Sequence, residues 1–545
     1  MSHPAVELLH RTDLPRREKA LRGIRLNTQY YVMKTIDNNG GRYVIAPTQP
    51  HDHYGGIVFD WDTQFGVMIL SNLSQNIHDL RIAVDNTFVV LEGMDQYGKV
   101  SNMRYLNGAN SGNPGIAIQR MNFPDKDRSP YTQPPLFASA VKQAYVALSR
   151  LEPYELKNYF GYDAPEDYLR SIYPLLKKAY TYFTSRDYLM GQDGLIRLNT
   201  PHATGMDSTP AYFKAKMVLL QKSLKERFPR RNFRFLTSEN FLNQRLLTEK
   251  DAKVLKFIAM DSLGLLNLDH EHMKSGWELQ KTLETFHIED VSLNCIVANN
   301  VRDMASIAQI LGIEFSDDAS QYAFQAQALE DAILEKMWNP SKGLFYSYAQ
   351  GEMTDVATIS SLFPVTLKTL AQPKHREKLL ALLEKMESYD YFNARFPFPS
   401  VARKENLFDP DYRTKGRIWL GPTWINTSYL IMEGMVQLMA ELKETDLVLA
   451  ERCRRKAIDV GIRIGELVNQ FGSAEFYQPD YGYPERLVVY DQEKQSTVGK
   501  GFTWSYLGHL MYYRARYLEE RRSTFNVYDA IDEADFQNYA QRCLF

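Results

Sequence analysis

The sequence predicts an all-α protein folded as an α/α barrel, with an inner ring of helices wrapped by an outer ring. Two observations predict it. From about residue 135 the chain reads as helix after helix, while strand signals are few and short. Long loops rich in Trp, Tyr, Asp, Asn and Gln join these helices, and no Pro/Gly/Ser-rich linker divides the chain. No residue-level repeat is visible, so the barrel is inferred from the succession of elements. Length alone suggests roughly three or four domains, but barrels exceed that prior as single units. The expected organisation is an N-terminal extension over residues 1–50 packed on a barrel spanning 51–545.

Strand candidates lie at Tyr43-Val44-Ile45 and Thr87-Phe88-Val89-Val90-Leu91. Pro134-Pro135 opens a helix, since proline suits the first helical position, and Val141, Ala144, Tyr145 and Leu148 share one face of it. Between Asp290 and Leu311 the apolar positions Val297, Val301, Met304, Ala308 and Leu311 repeat at helical spacing. Asp290 is placed to cap that helix, and Gly312 to end it in a left-handed conformation. A further stripe runs through Tyr429, Met432, Met435, Leu438 and Leu442, and helical patterns cover 373–386, 446–468 and 504–519.

Composition excludes several classes. Net charge is −2, without the basic excess of a nucleic-acid binder. The short basic runs at 227–231 and 452–456 read as solvated helix faces. Cys295, Cys453 and Cys543 are too few and too scattered for a disulfide framework, and the first two fall in apolar helical patterns. No secretory leader and no apolar run long enough to span a membrane is seen. A cytoplasmic location is expected, with neither nucleic acid nor membrane as partner. There is no Gly-rich phosphate loop, no His-Glu-x-x-His and no Gly-x-Ser-x-Gly elbow. His51-Asp52-His53 and His270-Glu271-His272 are local clusters without a matching ligand set.

Four loop motifs carry candidate chemistry. The load of 34 Tyr, 28 Phe and 6 Trp suits a carbohydrate cleft as well as an aromatic core, because sugar C–H faces stack on rings while hydroxyls take polar partners. In Asp60-Trp61-Asp62-Thr63-Gln64-Phe65, Trp61 can stack on a pyranose while Asp62 and Gln64 hold hydroxyls; equally, Asp60 or Asp62 can be a helix cap. In His202-Ala203-Thr204-Gly205-Met206-Asp207-Ser208, Asp207 is either an exposed carboxylate or the cap of a helix starting near Pro210. Arg417-Ile418-Trp419-Leu420-Gly421-Pro422-Thr423-Trp424-Ile425-Asn426 reads as a sugar-contact loop or a rigid turn packed by aromatics. In Ala474-Glu475-Phe476-Tyr477-Gln478-Pro479, Glu475 is either a base able to reach a water or an ordinary loop carboxylate.

Taken together and in order, these segments resemble the family 63 glycoside hydrolases, with the trehalases as more distant relatives. Trp61-Asp62-Thr63-Gln64-Phe65 resembles the family's Trp-Asp-x-x-Phe segment, and Gln133-Pro134-Pro135 its Gln-Pro-Pro helix opening. Thr204-Gly205-Met206-Asp207 resembles the segment that carries the general acid. Asp290-Val-Ser-Leu-Asn294, Trp338-Asn-Pro and Gly343-Leu-Phe-Tyr346 match further family segments. Gly421-Pro422-Thr423-Trp424-Ile425-Asn426 resembles the Gly-Pro-x-Trp-x-Asn signature. Glu475-Phe-Tyr-Gln-Pro479 resembles the segment carrying the general base, and Phe502-Thr-Trp504 resembles Phe-Ser-Trp. The sequence departs from the family at Ala203, Ser208 and Leu420, where Glu, Asn or Asp, and Arg are usual.

The resemblance implies an (α/α)6 barrel (toroid) and an inverting, exo-acting hydrolysis. Protonated Asp207 would donate to the glycosidic oxygen, and ionised Glu475 would activate a water on the opposite face of the sugar. Such pairs stand roughly 6.5–9.5 Å apart, and the acid needs burial or neighbouring carboxylates to stay protonated. Trp61, Asp62, Gln64, Gln133, Gly205, Trp419, Trp424, Asn426 and Trp504 are the implied substrate contacts. The mechanism calls for no cofactor and no metal. The expected partner is a small carbohydrate, first of all an α-glucoside, with mannosylglycerate and trehalose as alternatives. A glycerate aglycone would want a cation, for which Arg120, Arg197, Arg395 and Arg417 are available. A non-catalytic carbohydrate-binding barrel is the alternative of another class.

Overall fold

A computed structural model describes residues 15–31, 42–49, 54, 56–106, 120–231, 233, 250–410, 419–482, 501–521, 535–537 and 539. Its helices form two concentric rings. We number the ring helices in chain order: α1 (Arg16–Asn27), α2 (Asp60–Leu73), α3 (Ile77–Glu92), α4 (Phe137–Leu148), α5 (Pro165–Thr184), α6 (Val291–Leu311), α7 (Ser316–Lys336), α8 (Arg376–Glu387), α9 (Ile425–Leu442), α10 (Leu447–Phe471) and α11 (Leu507–Glu520). The inner ring is α2, α4, α6, a 3-10 segment at Ile359–Thr366, α9 and α11. Each packs on the next, and α11 returns to α2, which closes the barrel. Helices α1, α3, α5, α7, α8 and α10 lie outside.

Burial separates the rings. Every residue of α2 is buried, because that helix is enclosed by neighbours on all sides. Outer α5 instead buries one stripe, including Tyr168, Leu169, Ile172 and Leu176, and turns its charged residues to water. The principal core runs continuously through both rings. Cys295 and Cys453 are buried thiols within it; Cys543 lies outside the described residues. Among the described residues no helix is long and apolar enough to cross a membrane.

Most of the expected helices are found, with adjusted ends. Asp290 caps α6 by accepting from the Leu293 amide at 2.8 Å. Asp446 does the same for α10, accepting from Leu449 at 3.1 Å. Gly312 does follow α6 with φ of 105°, but its ψ of −168° is extended, not the left-handed helical value expected. Pro134-Pro135 precede α4, which starts only at Phe137. The Tyr43-Val-Ile strand is found and pairs antiparallel with Thr28–Tyr31.

The strand expected at Thr87–Leu91 is instead the last part of α3. Its β-branched run suits a strand locally, but Ile82, Ala83, Asn86 and Val90 form one buried helical face, and packing overrides propensity. Strands elsewhere form short antiparallel sheets of two or three, and Ile57–Phe59 with Met103–Tyr105 lies beside the site.

Candidate active site

The N-terminal ends of the inner elements converge at one mouth of the barrel. Trp61 and Asp62 lie in the first turn of α2. Gln133 precedes α4, Trp424 is the N-cap of α9, and Trp504 sits in the 3-10 turn that leads into α11. Asp207 lies between two 3-10 turns, Pro201–Thr204 and Pro210–Tyr212, and Glu475 follows α10. These side chains, with Gly205 and Trp419, line one cavity of about 190 Å³.

Neither alternative capping role holds. Thr209, not Asp207, precedes the turn at Pro210. Phe59 is the N-cap of α2, while Asp60 and Asp62 belong to its first turn.

The wall is built from indoles. Trp419 and Trp424 stack with centroids 3.8 Å apart and planes 5° from parallel. Trp504 meets Trp424 and Trp61, each at 5.7 Å. These rings also hold the backbone. The Trp504 indole N–H donates to the Glu475 carbonyl at 3.0 Å, and the Ser505 hydroxyl donates to the Ala474 carbonyl. A two-way bridge, Thr423 N–H to Tyr477 O at 2.8 Å and Tyr477 N–H to Thr423 O at 3.0 Å, straps the Glu475 loop to the Trp424 loop.

Gly205 is dictated by the same packing. Its φ is +74°, and an added Cβ would stand 2.5 Å from the Trp61 ring. Only glycine meets both demands, so this residue lets the Asp207 loop lie directly against the Trp61 indole.

The two candidate catalytic carboxyls differ in setting. Glu475 is 7 % exposed, whereas the Asp207 side chain is 44 % exposed. Asp207 Oδ2 lies 3.8 Å from His202 Nδ1. The His202 ring stacks on Tyr131 at 5.5 Å, and the Tyr131 hydroxyl donates to Asp269. Behind them, Asp261 forms a buried ion pair with Lys216. Burial pushes the Asp261 carboxyl up, Lys216 opposes that, and the charge of Asp207 adds to it. Asp62 is buried beside Glu475. Burial, reinforced by the Glu475 charge, holds the Asp62 carboxyl well above the usual range.

Two expected contacts are not on the wall. Gln64 is buried in α2 without a hydrogen-bond partner for either carboxamide atom, and Asn426 is buried in α9 with Oδ1 accepting from the Thr427 amide at 2.9 Å. Neither lines the cavity; two residues after Trp424, Asn426 falls on another face of its helix. Gln133 does reach the site, accepting from the Trp61 amide at 3.4 Å. Of the arginines considered for a carboxylate-bearing aglycone, Arg197 pairs with Glu289 at 3.0 Å. Arg120 lies over Tyr105, Arg395 lies over Phe396, and none of the three lines the cavity. Arg417 and the His51-Asp52-His53 cluster lie outside the described residues. His272 is buried and pushed down to about 3, chiefly by burial.

Sequence reasoning missed His202, Asn102, Tyr54 and Phe59 as wall residues. His202 sits inside the Asp207 motif and was legible as a neighbour. Asn102 and Phe59 reach the cavity through pairing of Ile57–Phe59 with Met103–Tyr105, for which the sequence has no signal.

A closed double ring of helices with acidic and indole side chains gathered at one mouth is the architecture of a glycoside hydrolase of the α/α-barrel class. The mannosylglycerate hydrolase MGH1-like glycoside hydrolase domain matches residues 60–505, and the chain belongs to that family. It is 25% identical over 383 residues to a mannosylglycerate hydrolase of Thermus thermophilus, covering 69% of this chain and 75% of that one. A crystal structure of the family 63 mannosylglycerate hydrolase from Thermus thermophilus, in complex with Tris and D-glycerate, shares the fold. Its TM-score is 0.62 at 21% identity, over 91% of this chain and 100% of that chain. The structure of that crystallised enzyme in complex with glucose aligns with a TM-score of 0.60 at 19% identity, over 92% of this chain and 100% of that one.

Proposed function

We propose that the protein is an inverting, exo-acting glycoside hydrolase that removes one terminal α-linked sugar from a small glycoside, with mannosylglycerate as the leading substrate. The observation that carries this reading is that Asp207 and Glu475, far apart in sequence, line one indole-walled cavity. Asp207, on the more open side, donates the proton to the departing oxygen. Glu475, on the enclosed side, takes the proton of the attacking water. Asp62 holds a sugar hydroxyl, and the Trp61, Trp424 and Trp504 faces cover the C–H surface of the ring. A cavity of about 190 Å³ suits one sugar, which favours exo action.

Mannose is favoured over glucose by the curated Thermus relative, which is named for mannosylglycerate. A terminal α-glucoside is the second reading, because the Thermus enzyme has been crystallised with glucose. The test is release of mannose or glucose from mannosylglycerate, glucosylglycerate, trehalose and short glucose disaccharides, with Glu475→Gln alongside. Release from one glycoside, lost in the variant and with inverted anomeric product, is expected. A retained anomeric configuration would refute the inverting assignment. Sugar bound but never cleaved would favour a carbohydrate-binding barrel.

A further inference from the structure

The far end of the barrel holds a second and larger cavity, of about 420 Å³, that shares no lining residue with the first. Its origin lies in the inner ring. The fourth inner element is a 3-10 segment of 8 residues that ends at Thr366, whereas α6 runs for 21 residues and α9 for 18. Past Thr366 the inner ring lacks one wall, and the later turns of α4, α6 and α9 face the space so left.

The lining of that space has a definite chemistry. Its charges are already compensated: Lys142 pairs with Asp303 at 2.8 Å, Arg302 with Glu330, Glu433 with Arg514 at 3.1 Å and Glu441 with Lys368 at 2.8 Å. A charged ligand would therefore meet no spare countercharge. What remains is amide and hydroxyl capacity beside apolar surface. Asn299 donates to the Thr366 hydroxyl at 2.8 Å, and its Oδ1 is buried away from the cavity surface. Gln143 and Gln437 supply the amides, and Val146 and Leu430 the apolar surface. The volume lies in the range of small-molecule sites, about 300–1,000 Å³.

We propose that this far cavity is a second binding site, for an uncharged polyhydroxylated solute of about monosaccharide size. Gln143 and Gln437 take its hydroxyls, and Leu430 with Val146 covers its C–H face. The floor between the two cavities is aromatic: Tyr429 lines the far one and packs edge-on to Phe65 at 6.4 Å, and Phe65 lies 5.8 Å from Trp61.

The test uses D-mannose and D-glucose, soaked into crystals and titrated calorimetrically into the full chain. Three proteins are compared: wild type, Ala440→Phe, which fills the far cavity, and Gln437→Leu, which removes an amide without added bulk. Sugar density beside Gln437 is expected, with affinity at that site weakened about tenfold in Gln437→Leu, the worth of one hydrogen bond, and abolished in Ala440→Phe. Both variants should keep hydrolysis, so a loss here is separable from any failure of the first cavity. A far cavity that holds only water in soaked crystals, or titrations unchanged in both variants, would overturn the proposal.

Discussion

The indole N–H of Trp504 donates to the backbone carbonyl of Glu475 at 3.0 Å. The last inner helix thereby sets the height of the carboxylate proposed as general base. Removing the donor while keeping the ring isolates this role. Trp504→Phe should lower kcat by about ten- to a hundred-fold, because a small displacement of the base spoils its reach to the water. It should cost about 1–3 kcal/mol of stability, since the buried Glu475 carbonyl loses the indole donor. Steady-state kinetics alongside urea unfolding would separate the two effects.

Asp207→Asn and Glu475→Gln should each reduce kcat by about a hundred- to ten-thousand-fold, the usual contribution of a positioned acid or base. Circular dichroism and melting temperature should stay near wild type, because Asp207 caps no helix and both replacements keep the size and shape of the side chain. Near-normal turnover in either purified variant would remove that residue from the mechanism.

Gly205→Ala tests the close approach to Trp61. With φ of +74° and a Cβ placed 2.5 Å from the indole, the loop must shift. A loss of about 1–3 kcal/mol in stability is expected, together with a raised KM as Trp61 and Asp207 move apart. A variant with unchanged KM and unfolding midpoint would show that the loop has slack at this point.

Asp62 predicts a pH dependence. Its folded carboxyl titrates well above the ordinary range, through burial and the neighbouring Glu475 charge. The native state therefore holds a proton that the unfolded chain releases, and stability falls as pH rises from the ordinary carboxylate range towards the raised value. Asp62→Asn removes that slope. Its unfolding free energy should match wild type in mild acid and exceed it progressively towards neutral and alkaline pH, as read from urea titrations across pH. Parallel curves for the two proteins would refute the assignment.

Much of this was legible in the sequence, for physical reasons that differ by element. The barrel helices announced themselves through apolar spacing, as in α6, where Val297, Val301, Met304 and Leu311 are all buried. The acidic and indole residues of the mouth were legible as motifs because each lies at the start of an inner element or in the loop before one. Gln64 and Asn426 misled for different reasons. Asn426, two residues beyond Trp424, falls on another helical face, whereas Gln64 shares a face with Trp61 and is covered by packing from neighbouring elements that no spacing shows. Thr87–Leu91 misled because β-branched composition is a local signal, whereas the inner face of α3 is set by residues on neighbouring helices. The far cavity had no sequence signature, since it arises from how early one inner segment stops relative to its neighbours.

Closure of the ring joins the two ends of the described chain. The Arg17 amide donates to the Tyr513 hydroxyl at 3.1 Å across a separation of 496 residues, and the Arg16 guanidinium donates to the Gly465 carbonyl at 2.6 Å. During synthesis α1 therefore leaves the ribosome long before its neighbour exists. Contacts of such sequence separation form slowly, and Trp504, which holds the proposed base in place, arrives with the same late segment. A chain that has already displayed Trp61, Trp424 and Asp207 still lacks the Trp504 segment, so the mouth of the barrel takes its form only when the first and last described helices of the ring meet.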